Sequence, residues 1–421
     1  MRQRDGIKRS VRSGIGVLLC LLMIGPPPAA SAPLPPPAQP VSPRPHALPA
    51  APGSESTLLM EVSTGEVLQA SDPHRRFPPA SLDKLMTLYL TLQAIHAGRL
   101  TLDTPVTVST AAWRIGRRPG SSRMFLDRGD VVTVDKLLEG LMVASGNDAA
   151  EVLAEAVAGS PERFVEEMNA AAARLEMRDT HFVTPHGLPS PHEYTSAWDT
   201  AVVARQILLD DPDIVRFTSP QYATYGGIRQ PNWNNLVFRD PRVDGLKTGH
   251  TVESGFSIAA TAHVGGMRLI AVVMGAPTLR RRTALAEGLL DSGFARYVLQ
   301  PIPWKGIVPE AVPIYGGRGG RLPLETAHPV AVLLEKAAHQ QLEVSEMITV
   351  RPFAPVRRGQ RVGVLTVRRA GRVVLTSPLV AADTIEPDGL AGRVWGALAY
   401  AVGRLVLRRP ATWSGMYTPQ Q

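Results

Sequence analysis

Lysine is scarce in this chain: six occur among 421 residues, although lysine and arginine together number 45. Cysteine is scarcer still. The single one is Cys20, so no disulfide framework is available. Aromatic residues make up 5% and do not interleave with basic ones, and no zinc spacing occurs, which leaves a nucleic-acid partner without support. The histidines are dispersed and no Cys/His pairing exists, which argues against a catalytic metal or other bound cofactor. No internal repeat is visible. The net charge of +8 gathers toward the two ends, which fits a membrane surface better than nucleic acid. Length and a 44% hydrophobic share suit two folded domains with tails.

Where lysine does occur, its placement is informative. Lys84 follows Ser81 by three residues in Pro79-Ala80-Ser81-Leu82-Asp83-Lys84, and Lys247 lies in Val243-Asp244-Gly245-Leu246-Lys247-Thr248-Gly249-His250. A guanidinium does not lose its proton in proteins, whereas desolvation and neighbouring charge can tune an ammonium to do so. A chain that otherwise uses arginine for positive charge and keeps lysine here is one that needs a titratable amine.

The N-terminus reads as an export signal over residues 1–32. Arg2, Arg4, Lys8, Arg9 and Arg12 precede the apolar run Ile15–Ile24, and the small residues Ala29, Ala30, Ser31 and Ala32 follow, as a signal-peptidase site requires. The run is short for a membrane span; an uncleaved anchor is the alternative. Residues 33–54 are Pro- and Ala-rich and read as an extended tether. A hairpin is expected around Ser63-Thr64-Gly65. Helices are expected over Ser81–His96, which puts Ser81 at or near a helix N-terminus, and over Lys136–Ala144, Asp148–Ala158, Pro161–Leu175, Ser196–Leu209 and about Thr283–Leu290. Phe256–Thr261 and Met267–Met274, joined through Gly265-Gly266, form a buried antiparallel hairpin. These elements span an α+β catalytic domain at 55–297, an antiparallel sheet with helices on both sides. Residues 301–385 read as a small all-β domain, with a hairpin at Ala370-Gly371. Over 387–409 apolar residues recur at helical spacing (Leu390, Val394, Leu398, Val402, Leu405, Val406) among Arg393, Arg404, Arg408 and Arg409. The basic amphipathic helix so formed suits a membrane interface; packing on its own β domain is the alternative.

Three short motifs occur in order: Ser81-x-x-Lys84, Ser145-Gly146-Asn147 and Lys247-Thr248-Gly249. One helical turn puts Lys84 on the face of Ser81, and a serine needs a neighbouring base to become a good nucleophile. A second cation, Lys247, together with burial would help keep Lys84 neutral. Jointly the motifs resemble the set shared by penicillin-binding proteins and serine β-lactamases. The stretches Gly120–Leu126, Ala144–Ala149, Thr180–Leu188, Gly227–Gln230 and Val243–Thr251 are similar to the low-molecular-mass D-alanyl-D-alanine carboxypeptidases. The resemblance implies Ser81 as nucleophile, Lys84 as base, Ser145 as proton relay and Asn147 as an orienting group. It implies that Lys247-Thr248-Gly249 opens an edge strand that binds an extended peptide, and that the backbone N–H groups of Ser81 and His250 stabilise the oxyanion. Thr248 and Arg282 would hold the terminal carboxylate of the substrate. Arg282 lies in Arg280-Arg281-Arg282, any of which could serve, and a solvated cluster is the alternative.

The expected activity is removal of the terminal D-alanine from a peptidoglycan stem peptide, with β-lactams as covalent inhibitors, on the outer face of the cytoplasmic membrane. A β-lactamase of the same fold is disfavoured because Glu166-Glu167-Met168-Asn169 follows Ser145 too closely and falls in an expected helix. An endopeptidase with the same residues stays open. A non-catalytic wall-binding protein would require a lost motif residue, and none is lost. Asp83, beside Lys84, is expected to be turned away by helix geometry. His181 and His186 are expected to be structural.

Overall fold

Alternation along two strands explains the centre of the molecule. In β1 (Ser56–Glu61), Leu58 and Met60 enter one apolar core while Leu59 enters another. In the long strand ending at Ala276, Ile270, Val272 and Met274 take the first side, and Leu269, Ala271 and Val273 the second. Successive strand residues face opposite ways, so an almost unbroken apolar run is a strand covered on both faces. The computed structural model describes residues 55–337, 340–350, 352–406 and 411–419. The export signal and tether inferred for residues 1–54 lie outside the described residues.

The central sheet joins β1 and β2 (Val67–Ser71) to three later strands, β7 (Val243–Thr251), β8 (Gly255–Val264) and β9 (Met267–Ala276). Its order is β2-β1-β9-β8-β7, antiparallel throughout. The expected Ser63–Gly65 and Gly265–Gly266 turns are both present, joining β1 to β2 and β8 to β9. Lys247-Thr248-Gly249 lies within β7, at the sheet edge, rather than opening the strand, because β7 starts at Val243. Two short strand pairs, β3 (Pro105–Thr107) with β4 (Val131–Thr133) and β5 (Tyr222–Tyr225) with β6 (Ile228–Pro231), had no clear sequence signal.

Seven helices follow the first hairpin: α1 (Lys84–His96), α2 (Thr110–Gly116), α3 (Val134–Met142), α4 (Asn147–Ala158), α5 (Pro161–Arg174), α6 (Ala197–Asp210) and the short α7 (Val215–Thr218). The residue before each of α2, α3, α5 and α6 is Ser109, Thr133, Ser160 or Ser196, and each side chain accepts a hydrogen bond from the first turn. Such a cap stabilises a helix by about 1 kcal/mol. Thr278 does the same for α8 (Leu279–Arg296). That cap starts α8 four residues before the expected Thr283, so the three arginines belong to its first turn. Ala286, Leu290 and Phe294 of α8 pack on the sheet face opposite α1 and α6.

A second interior, including Val312, Leu322, Val344, Leu365, Val367 and Leu379, fills the C-terminal β region. Its strands are β10 (Tyr297–Pro301), β11 (Ala311–Pro313), β12 (Arg321–Thr326), β13 (Ala331–Glu335), β14 (Leu342–Ile348), β15 (Arg361–Arg369), β16 (Arg372–Ala381) and β17 (Ala411–Tyr417), with six in the order β11-β12-β16-β15-β14-β17. The Ala370-Gly371 hairpin is as expected. β17 is a difference: after helix α9 (Leu390–Val406), the chain returns to this sheet and pairs with β14. Helix α9 has two environments. Gly396 lies against the backbone of Gly316, and Tyr400 packs edge-on to Tyr315 and Phe353, while Leu390, Trp395 and Leu398 are exposed. Among the described residues no helix is long and apolar enough to cross a membrane.

Candidate active site

Pro78 and Pro79 prevent an early helix start, and the chain instead makes a 3-10 turn over Ala80–Asp83 before α1 begins at Lys84. Ser81 therefore sits on the turn rather than in the α-helix proper. Ala80 before it has φ 49°, an uncommon backbone for a residue with a Cβ. The surrounding packing fixes that geometry. A Cβ on Gly187 would fall 1.8 Å from the Ala80 carbonyl oxygen, and one on Gly249 would fall 3.0 Å from that of Pro79. The serine turn is thus held between the 180s loop and the end of β7.

Lys84 is fully buried. Its Nζ donates to Ser81 Oγ at 3.0 Å, Asn147 Oδ1 at 2.6 Å and the His186 carbonyl at 2.7 Å. These three acceptors account for all three ammonium protons. Burial nevertheless lowers the pKa of Lys84 to about 7, against the opposing pull of Asp83, Asp148 and Glu193. The amine is poised between its two forms at neutral pH.

Ser145 stands between α3 and α4 with φ 58°, a strained backbone of the sort found at functional positions. Its carbonyl accepts from Ser122 Oγ, and its own Oγ accepts from Lys247 Nζ at 3.0 Å. Asn147 opens α4; while its Oδ1 meets Lys84, its Nδ2 donates to Ser121 Oγ at 2.8 Å. Asp148 accepts from the backbone N–H groups of Met124 and Leu126 and ties the 120–126 segment to this corner. Lys247 also donates to the Thr248 carbonyl. Burial, then the charges of Lys84 and Arg282, hold its pKa well below the ordinary lysine value. Thr248 is buried next to it, Gly249 abuts the serine turn, and the exposed His250 stacks on Phe256 at 3.9 Å.

The arginine cluster resolves into three different situations. Arg280 is exposed. Arg281 pairs with Glu55 at 2.9 Å. Arg282 alone is buried, 3% exposed, and donates through Nη2 to Asn235 Oδ1 while its Nε makes no hydrogen bond. Burial lowers its pKa to about 10, and its charge is felt at Lys247.

Three residues differ from expectation or were missed. Asp83 is buried and its charge acts on Lys84, against the expectation that helix geometry turns it away, because it lies on the 3-10 turn and not on the α-helix. Asn235 holds Arg282 from a 3-10 turn, Asn235–Phe238, that carries no motif. His186 contributes its carbonyl, not its ring, which a side-chain search cannot find. That ring is buried; its Nδ1 accepts from the Leu188 N–H, and desolvation lowers its pKa to about 3. The exposed His181 bonds to the His192 carbonyl. Glu166 and Glu167 lie in α5, as expected. Among the described residues no cluster of three His, Cys, Asp or Glu is arranged to hold a metal.

Two serine–lysine pairs, with a buried asparagine bonded to the first lysine, define a lysine-based acyl-transfer centre, in which amines stand where other hydrolases use a histidine. Comparison with known proteins agrees. Residues 44–278 match the D-alanyl-D-alanine carboxypeptidase family, and residues 300–387 match the C-terminal domain of penicillin-binding protein 5. D-alanyl-D-alanine carboxypeptidase DacD of Escherichia coli is 38% identical over 359 residues, 84% of this chain and 92% of the relative. The crystal structure of penicillin-binding protein 5 from Haemophilus influenzae has a TM-score of 0.67 at 33% identity, over 80% of this chain and 99% of that one. Ampicillin-bound penicillin-binding protein D2 from Listeria monocytogenes has a TM-score of 0.51 at 30% identity, over 57% and 96%. The chain belongs to the D-alanyl-D-alanine carboxypeptidase family.

Proposed function

We propose that this protein is a serine-type DD-carboxypeptidase that removes the terminal D-alanine from peptidoglycan pentapeptides through an acyl-enzyme on Ser81. One observation carries the reading: the Nζ of Lys84, buried and tuned to about 7, lies 3.0 Å from Ser81 Oγ. In its neutral form the amine takes the Ser81 hydroxyl proton as Oγ attacks the carbonyl of the penultimate D-alanine. The backbone N–H groups of Ser81 and His250 receive the developing oxyanion; the contact of Gly249 with the serine turn supports this, since it brings the end of β7 to that turn. Ser145, bonded to Lys247, relays the Ser81 proton from Lys84 to the leaving amine, which frees the Lys84 amine again. D-alanine departs, and water hydrolyses the ester with Lys84 again as base. Asn147 holds Lys84 and orients the substrate.

An extended peptide added along β7 would place its terminal carboxylate toward Lys247, Thr248 and Arg282. Of the three clustered arginines, Arg282 is assigned this role because it alone is buried and has an unpaired Nε. A β-lactam presents a similar acyl group and carboxylate and would acylate Ser81; the ampicillin-bound relative supports this.

The same reading places the protein outside the cytoplasm, after an export signal at 1–32 and a tether at 33–54, with a catalytic domain at 55–297 and a β domain at 301–385. The helix expected over 387–409, of which Leu390–Val406 form α9 while 407–409 lie outside the described residues, would rest on the outer face of the cytoplasmic membrane, and the exposed Leu390, Trp395 and Leu398 support that contact. Flotation of the protein with anionic vesicles, abolished by Trp395→Asp with Leu398→Asp, tests it; equal flotation of the variant contradicts it.

The test of the activity is release of free D-alanine from a peptide ending in L-Lys-D-Ala-D-Ala by the full chain, with Ser81→Ala as control. Release lost in the control is expected. No release together with rapid β-lactam turnover would replace the reading with a β-lactamase. No release and no penicillin adduct would leave a wall-binding protein.

A further inference from the structure

Two buried carboxyl groups that the reaction does not use act on Lys84 by their charge, Asp83 and Glu193. Asp83 is 1% exposed, and neither of its oxygens meets a hydrogen-bond donor. Glu193 is 5% exposed and comes from the loop before α6. It accepts from the backbone N–H groups of Val183 and Thr184, at 2.9 and 2.7 Å, and from the Thr184 hydroxyl at 3.1 Å. The same hydroxyl accepts from the Gly187 N–H. Glu193 thereby fixes the turn that carries both the His186 carbonyl, which receives the Lys84 ammonium, and Gly187, which packs on the Ala80 carbonyl.

We infer that Asp83 and Glu193 share one proton, and that this acid–carboxylate pair is a positioning device which clamps the 183–187 turn onto the serine turn and sets the charge acting on Lys84. The inference deepens the catalytic reading above and rests on it.

Two ionised carboxylates in contact would leave Asp83 a buried, donorless charge, a cost of several kcal/mol. A proton on Asp83 removes that charge and supplies the missing donor, directed at Glu193. Glu193 already accepts bonds from two N–H groups and a hydroxyl, whereas Asp83 accepts none. In keeping with this, burial, then the charge and hydrogen bond of Glu193, raise the pKa of Asp83 well above the ordinary carboxylate value. The titratable or charged groups acting on or sensing Lys84 are Asp83, Asp148, Glu193, Lys247 and His186; those acting on Asp83 are Glu193 and Lys84.

The location of the charge is testable. The acylation rate of the full chain by a fluorescent penicillin, measured from pH 5 to 9, reports the proton on Lys84 as an acid limb. Glu193→Gln removes a negative charge that favours the ammonium. Its midpoint is expected to fall by about half a unit or more, which makes the rate at a fixed pH on the limb ~3-fold higher relative to its plateau. Asp83→Asn exchanges a neutral acid for a neutral amide, so its midpoint is expected to stay with the wild type. Asp83→Ala removes the donor and is expected to lower the plateau ~10-fold, with Asp83→Asn restoring it to within a few-fold. An Asp83→Asn midpoint that moves as far as that of Glu193→Gln would put the charge on Asp83 and overturn the inference. So would two unmoved midpoints.

If Glu193→Gln does not fold, thermal unfolding of Asp83→Asn decides. An acid whose folded pKa is raised costs stability as pH rises from its unfolded value toward the folded one. The unfolding temperature of the variant relative to wild type is therefore expected to be higher at pH 8 than at pH 4; parallel curves overturn the pair. A wild type that forms no Ser81 adduct at all would overturn the acyl-enzyme reading and this inference with it. An acylating wild type with unmoved midpoints overturns this inference alone.

Discussion

The two interiors of this protein treat charge in opposite ways. Between the sheet edge and α1, buried Lys84, Lys247, Asp148 and Arg282 bond to Ser81, Ser145, Asn147 and Asn235 or to backbone, and Asp83 beside them, though it meets no donor, acts on Lys84 by its charge. In the C-terminal β region, one buried carboxylate, Glu346, stands on β14 with neither oxygen hydrogen-bonded. A cluster whose charges act on one another tunes reactivity, because each moves the pKa of the next. An isolated buried charge tunes nothing and only weakens the fold. Catalysis belongs where burial and mutual charge coupling coincide.

The sharpest way to break this comparison is to keep the charge and remove its titration. Lys84→Arg retains a cation but no removable proton, and acylation is expected to fall by about a thousandfold or more; stopped-flow trapping with a chromogenic β-lactam measures it. A variant within tenfold of wild type would contradict a basic role for Lys84. Next in size is Lys247→Ala, which leaves Ser145 without its donor. A loss of roughly a hundredfold is expected, read as kcat/KM for D-alanine release, with the acid limb unmoved because burial, not Lys247, lowers the Lys84 pKa.

Arg282→Ala is expected to raise KM by about tenfold for a peptide with a free C-terminal carboxylate, with little change for the same peptide ending in an amide. Equal effects on the two peptides would remove Arg282 from carboxylate binding. The smallest effect belongs to the other interior. Burial raises the pKa of Glu346 from 4.5 to about 7. As pH rises through that interval the unfolded chain ionises first, so the residue costs stability increasingly, and the cost persists at higher pH. Glu346→Gln is expected to stabilise the fold by about 1–2 kcal/mol at pH 8, less at pH 5, with unchanged D-alanine release. Thermal unfolding at the two pH values checks it, and a destabilised variant would give Glu346 a partner role.

The grouping of Ser81 with both lysines, Ser145 and Asn147 was legible because groups one helical turn apart, or at the start of a helix, leave a short-range pattern. The β8–β9 hairpin was legible because two glycines interrupt a period of two. What escaped has a physical cause in each case. The burial of Asp83 depends on a 3-10 turn, which i, i+3 spacing does not distinguish from α-helix. The burial of Arg282 alone among three neighbours depends on where α8 begins, and that is set by the Thr278 cap. The carbonyl of His186 and the Asn235 amide act through geometry and carry no motif. β17 was hidden by brevity: Trp413 and Tyr417 face inward on a seven-residue strand that needs β14 to exist.

The central claim is that a lysine amine, free near neutral pH, activates Ser81. Single-turnover acylation of the wild-type chain as a function of pH tests it most directly, with mass spectrometry locating the adduct. The account predicts an adduct on Ser81 and a rate that rises with pH through a midpoint near the Lys84 value of about 7, since only the free amine can take the proton. A rate that stays flat down to pH 5, or an adduct on any other residue, would contradict it.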